Sequence, residues 1–186
     1  MRQSIRMASR AMIFDPLQVM YPGIVCIDRR QVEKWLDRHC DSPRWKLVYR
    51  PPVKRTDREG MQAEAEFYFN LASNIRNVHV FCDEIDTFGR GEDEPDELFA
   101  LLNWGRIDYV SLTGTVRRPQ VKVPRDWATE TTIFSIFSTV DPTDCSFLER
   151  RTRIPANEFA MLQKFEYWEW QAGKSEKKKL ENPYDD

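Results

Sequence analysis

Short apolar runs alternate with longer amphipathic segments along most of this chain, the pattern of a mostly parallel sheet wrapped by helices. Ala11-Met12-Ile13-Phe14 predicts a strand that stops at Asp15-Pro16. Gly23–Ile27 predicts a second, and Trp45–Tyr49 a third, closed by Arg50-Pro51-Pro52. Asp28 and Gln31 have capping-box spacing, and Val32, Trp35, Leu36 and His39 follow at helical positions. Asp57 to Arg76 reads as a long helix with Met61, Ala65, Tyr68, Ala72 and Ile75 on one stripe. The run Val78–Asp83 predicts another strand, and residues 86–94, with Gly89 and Gly91, a loop. Pro95 suits the first turn of a helix whose start is acidic at Asp96 and Glu97. Leu98, Leu101 and Leu102 face inward there, and Gly105 is placed to cap the end. Tyr109–Thr113 and Thr132–Thr139 read as strands, and Asp141-Pro142 opens a short helix running to about Arg151. Phe165–Trp170 alternates aromatic and acidic residues, the mark of a half-exposed edge strand. Beyond Gly173 the chain is charged and expected to fray. The pattern predicts one domain over residues 1–172 and a charged, disordered tail over 173–186.

Composition narrows the class. At 186 residues and 41% hydrophobic, the chain is long enough for a sizeable core. Its 28 basic and 30 acidic residues nearly cancel, so net charge selects no partner. Their distribution is less even. Residues 83–97 hold eight acids and one Arg, whereas residues 44–58 hold six basic side chains and only Asp57. The four cysteines are far apart and lack zinc-knuckle spacing, so they read as reduced thiols. No apolar run approaches the ~18 residues of a membrane span, and Met1–Arg10 has no signal-peptide core. The expected location is cytoplasmic.

The chemistry concentrates in Asn77–Asp86, NVHVFCDEID. A buried strand ending on two adjacent carboxylates presents them at its carboxyl end. In nucleotide hydrolysis such a pair places one carboxylate near Mg²⁺ and the next near the attacking water. A strand end leading into an acidic surface loop is the plainer reading. Arg106 follows an apolar helix, where it serves either a phosphate or the last helix carbonyls. Thr113–Pro119, TGTVRRP, follows a strand directly, where Arg117 and Arg118 face any ligand beyond the strand ends or form a basic surface loop. Gly173-Lys174-Ser175 mimics the close of a G-x-x-x-x-G-K-[ST] phosphate loop, but the first glycine position is Trp168, so the match fails.

In order, VFCDEID, LLNWGRIDYVSLTGTVRRP and TIFSIFSTVDPTDCSFLERR resemble the HerA–FtsK group of P-loop ATPases, which includes DNA pumps, phage packaging and morphogenesis ATPases and Zot-like proteins. The resemblance covers roughly residues 10–155. It implies a three-layer α/β RecA-like P-loop NTPase domain with a mostly parallel sheet, and ATP and Mg²⁺ as cofactors. Asp83 matches the Mg²⁺-supporting acid and Glu84 the catalytic glutamate of the Walker B strand. Arg106 matches the arginine after the helix. Arg117 falls where many members carry a sensor Gln or Asn, and Arg118-Pro119 matches the family's RP pair. Asp144 matches an acid of structural or interfacial role. The family's first strand, phosphate loop (Walker A) and helix would precede AMIFDP, and this sequence shows no such loop. The resemblance therefore implies a partial or degenerate ATPase, weak or inactive as written, related to DNA-translocating or phage-morphogenesis motors that act as homo-oligomeric rings on DNA or an assembly protein. A different class remains open: a non-catalytic nucleic-acid- or partner-binding module using residues 44–58, 117–118 and 150–153. A third reading is an inactive fragment.

Overall fold

The computed structural model describes residues 2–19, 21–54, 56–85, 96–119 and 130–180. These fall into two compact units, one ending at Arg117 and one that holds Arg118, Pro119 and residues 130–180. The expected single domain is thus two units.

The first unit is built on a five-stranded sheet, every pairing of which is parallel. Its strands are β1 (Arg10–Phe14), β2 (Ile24–Cys26), β3 (Trp45–Tyr49), β4 (His79–Cys82) and β5 (Ser111–Gly114), in the order β2-β3-β1-β4-β5. β1 is central and β4 sits beside it, so both read as continuous apolar runs, as strands covered on two faces do. Helices α1 (Arg2–Met7), α2 (Arg29–His39), α3 (Arg58–Ser73) and α4 (Asp96–Trp104) supply the cover. On one face, Ile5 of α1 is buried with Ala11, Ile13, Val48 and Phe81. On the other, the Phe14 ring meets those of Tyr49 and Tyr68, the latter from α3. Pleat alternation explains the split: Ile13 pairs with Val48 and Phe81, and Phe14 with Tyr49 and Cys82. The Tyr68 hydroxyl, buried at the end of this stack, donates to the Phe81 carbonyl at 3.1 Å.

The helix boundaries follow their caps. Asp28 accepts from the Gln31 N–H, and Gln31 Oε1 reaches back to the Ile27 N–H rather than to that of Asp28. Asp57 caps α3 by accepting from the Gly60 N–H at 2.9 Å. Gly105, expected as the C-terminal cap of α4, instead continues it into a 3₁₀ turn, Gly105–Asp108. The Val110 N–H donates to its carbonyl at 2.9 Å, and a Cβ on Gly105 would stand 3.4 Å from Val110 Cβ. The reversal before β5 comes at Tyr109 (φ 55°), so the strand starts at Ser111 rather than Tyr109. The expected loop over residues 86–94 lies outside the described residues.

The second unit pairs β6 (Ile133–Ile136), β7 (Glu166–Gln171) and β8 (Lys174–Lys179) as an antiparallel sheet. With it go α5 (Pro142–Thr152) and α6 (Ala156–Ala160). Ile136, Cys145, Leu148, Ile154 and Phe159 form its core. Two expectations are corrected here. Residues 174–179, expected to fray, form β8, and β7 is therefore central rather than an edge. The reason is the two-residue turn: Ala172 (φ 49°) and Gly173 (φ 81°) both take the left-handed conformation that closes a tight hairpin. Once that turn forms, Lys177 and Lys178 pair with Glu166 and Glu169 on β7. Among the described residues no helix is long and apolar enough to cross a membrane.

Candidate functional site

In a parallel sheet all strands end at one rim, and residues just past those ends are brought together by topology alone. Here Asp15 follows β1, Arg50 follows β3, Asp83 and Glu84 follow β4, and Thr115 and Arg117 follow β5. Asp83 and Glu84 are each nine-tenths or more buried. Charged side chains reach that depth only when partnered.

Asp83 is held from both sides. Thr115 Oγ1 donates to Oδ1 at 2.5 Å, and Tyr21 Oη donates to Oδ2 at 2.8 Å. Its N–H reaches the Phe14 carbonyl at 3.1 Å, extending the sheet by one bond. Glu84 breaks the strand. Its φ of 50° is left-handed, which costs a residue with a side chain about 1–2 kcal/mol. The turn is held by its N–H donating to Thr115 Oγ1 at 2.8 Å and by the Ile85 N–H donating to the Thr115 carbonyl at 3.0 Å. The Glu84 carboxylate is ion-paired with the Arg117 guanidinium, which is itself about two-thirds exposed.

Asp15 adds a third carboxylate to the rim. It is fully buried, accepts from the Val19 N–H at 2.8 Å, and pairs with Arg50 Nε at 2.9 Å. Burial pushes its pKa above the ordinary value, opposed by the Val19 hydrogen bond and Arg50, with the charge of Asp83 pushing the same way as burial. A shallow depression lined by Pro16, Gln18, Pro52, Lys54 and Thr56 adjoins the ends of β1 and β3, and the carboxylates of Asp83 and Glu84 do not line it.

The structure places Asp83, Glu84 and Arg117 at the same rim, with Glu84 and Arg117 ion-paired. Arg106 lies in the 3₁₀ turn after α4, and its side chain is outside the described residues. Arg118 belongs to the second unit. There its guanidinium pairs with Asp144 at 2.7 Å and with Asp141 at 3.0 Å, at the start of α5. Asp144, for which a structural or interfacial role was expected, is buried. Asp15 and Tyr21 were not singled out by the sequence, and Thr115 was noted only as one of the residues of TGTVRRP. Asp15 carried a usable signal, since it too is an acid directly after an apolar strand. A lone Tyr and a Thr carried none.

No protein-family model matches the chain, and no curated protein matches it by sequence. Solved structures do match. The genome-packaging NTPase B204 of Sulfolobus turreted icosahedral virus 2, in complex with AMPPCP, superposes with a TM-score of 0.64 at 11% identity, covering 92% of this chain and 83% of that one. Its complex with ATP-gammaS gives 0.64 at 10% identity over 95% and 86%. The DNA-packaging ATPase B204 of Sulfolobus turreted icosahedral virus gives 0.62 at 14% over 92% and 83%. The chain has the fold of a viral genome-packaging NTPase. That is a RecA-like P-loop NTPase fold with a mostly parallel sheet, and it relates this chain to packaging ATPases at the level of fold.

Within this packaging-NTPase fold, the donor set decides what the rim can hold. Among the described residues no three His, Cys, Asp or Glu side chains converge as a metal cage. Asp83 offers hard carboxylate oxygens, each with one lone pair taken by a hydroxyl. That fits Mg²⁺, which is commonly held by one or two carboxylates together with the phosphates it accompanies.

Proposed function

We propose that this chain is the carboxylate-bearing part of a P-loop ATPase domain of the DNA-packaging or phage-morphogenesis type, with a Walker B-like site at Asp83-Glu84. The observation that carries the reading is the acidic turn after β4, buried, fixed by hydroxyls, and placed beside the central strand of a parallel sheet. Asp83 would hold Mg²⁺, which supplies charge neutralisation to the phosphates of ATP when bound. Glu84 is the general base for water once Arg117 releases it, and Arg117 then faces the nucleotide. Arg106 is read as the arginine that contacts phosphate or a neighbouring subunit. Arg118, engaged with Asp141 and Asp144, is read as an anchor of α5 rather than a nucleotide contact. A homo-oligomeric ring acting on DNA or an assembly protein is the working form this reading implies.

The edge of the sheet supports the reading of a partial site. Ser111 and Thr115 direct their N–H groups to β4, so Leu112 and Gly114 direct theirs outward. Among the described residues no strand pairs with that outer edge, and β5 is exposed or half-buried along its length. Parallel sheets are ordinarily covered strands throughout. A further parallel strand there would end at the same rim as Asp83, and we infer that the phosphate-cradling loop belongs on such a strand. For the residues given, which hold no G-x-x-x-x-G-K-[ST] run, binding of Mg·ATP is expected to be weak and turnover low.

The test is binding of ATP with Mn²⁺ as a spectroscopic stand-in for Mg²⁺, together with phosphate release, for the wild-type chain, D83N and E84Q. D83N is expected to weaken metal–nucleotide binding. E84Q should retain binding and lose ~10²-fold or more of whatever turnover is present, the scale of a lost general base. Absence of any ATP binding at high millimolar concentration, or binding unchanged in D83N, would remove the ATPase reading.

A further inference from the structure

Thr115 lies one residue beyond β5 and makes four hydrogen bonds to the stretch Cys82–Ile85. Its N–H donates to the Cys82 carbonyl at 3.1 Å and its carbonyl accepts from Ile85. Its single hydroxyl proton cannot serve both remaining contacts as donor. Because Oγ1 accepts the Glu84 N–H at 2.8 Å, the proton must go to Asp83 Oδ1. One hydroxyl therefore fixes the backbone of one acid and the side chain of the other. Tyr21 Oη closes the second oxygen of Asp83 from the segment after β1.

We propose that Thr115 and Tyr21 are positioning residues of the acidic turn: their hydroxyls clamp Asp83 so that its remaining lone pairs point one way, toward a divalent cation carrying phosphates. This rests on the ATPase reading of Asp83. The physical argument is one of freedom removed. A carboxylate at a strand end can rotate about χ2, a broad torsion, and two opposed donors suppress that rotation. Thr is suited to the task because its branched Cβ stiffens χ1. Both hydroxyls meet Asp83 itself, so on this proposal each acts through it. The left-handed backbone of Glu84 is held in part by the same hydroxyl, which accepts its N–H at a conformation that Glu disfavours.

The experiment titrates Mn²⁺ with ATP against the full chain by electron paramagnetic resonance, for wild type, T115V, T115S, Y21F and D83N, with thermal unfolding recorded on each. Val keeps the shape and the backbone bonds of Thr and removes only the hydroxyl. T115V is expected to weaken Mn·ATP binding about tenfold, T115S to stay within about twofold of wild type, and Y21F to weaken it by a smaller factor in the same direction. T115V and T115S weakening binding equally, or T115V matching wild type while D83N is impaired, would overturn the clamp and leave the ATPase reading standing. D83N without effect would sink both. Should T115V fold poorly, Y21F decides alone, because it alters no backbone bond: binding equal to wild type overturns the proposal.

Discussion

Asp83 and Glu84 are neighbours in sequence, yet their surroundings differ. Asp83 follows the strand end and is fixed by two hydroxyls, and on the ATPase reading its remaining lone pairs serve a cation. Glu84 turns the chain through a left-handed conformation and is ion-paired with Arg117, so on the ATPase reading it polarises water only once the arginine moves. On the same sheet, His79 shows how burial sets protonation. Its ring stacks on Phe81, 4.0 Å between centroids, and Nε2 lies 2.8 Å from Thr113 Oγ1. Burial lowers its pKa below the ordinary 6.5. As pH falls through 6.5 the unfolded chain takes up the proton first, so stability present above that pH is lost as pH drops toward the lowered folded value. H79Q keeps an amide for Thr113 and has nothing to titrate. Chemical denaturation at pH 7.5 and about 5.5 should show a smaller loss for H79Q than for wild type; equal losses would count against a neutral, half-buried His79. The two acids and Arg117 were legible because charge after an apolar run is a local pattern. Tyr21 and Thr115 were not, since a hydroxyl becomes informative only when the fold sets it against a carboxylate far along the chain.

Elements were read best where pattern and cap agree. α3 has an apolar stripe, an Asp at its N-cap, and buried Met61, Ala65, Tyr68 and Ala72. The cap is exposed and pairs with the Gly60 N–H, so its loss should act on the helix end alone. D57A is expected to cost about 1 kcal/mol, within the usual range of roughly 0.5–2 kcal/mol for an N-cap aspartate. Urea unfolding should show a lower midpoint at unchanged slope. A change in slope would mean that the substitution alters the extent of folding rather than helix stability. The misread element was β8. Its sequence, KSEKKK, has no apolar alternation, and its strand character comes from a partner: Lys179 stands opposite Glu166 of β7, and Lys177 and Lys178 reach diagonally to Glu166 and Glu169. Edge strands rich in Lys are common because the charge discourages further pairing. Composition alone makes such a segment indistinguishable from a disordered tail.

At the scale of the molecule, the motor and the binding-module readings differ in what the cations are free to do. Of the basic residues on which the module reading rests, Lys46 donates to the Arg6 carbonyl, Arg50 pairs with Asp15, Arg117 with Glu84 and Arg118 with Asp141 and Asp144. Arg151 lies over the rings of Phe134 and Trp170. Arg44, Lys54, Arg58, Arg150 and Arg153 are exposed. Neutralising a phosphate requires a cation not already committed, and each contact adds about −0.9 to the slope of log affinity against log salt for duplex DNA. Among the described residues those five would support a slope of about −4.5, Arg55 lying outside them, and the engaged arginines would have to leave buried acids unpaired to steepen it further. Binding of a labelled duplex, followed by fluorescence anisotropy between 50 and 200 mM salt, measures it. The motor reading expects weak binding, a shallow slope, and an affinity that shifts when Mg·AMPPCP is added, because ligands that share a conformational equilibrium are reciprocally coupled. Tight binding with a steeper slope and no response to nucleotide would instead favour the module, with the acids at the sheet rim serving the fold.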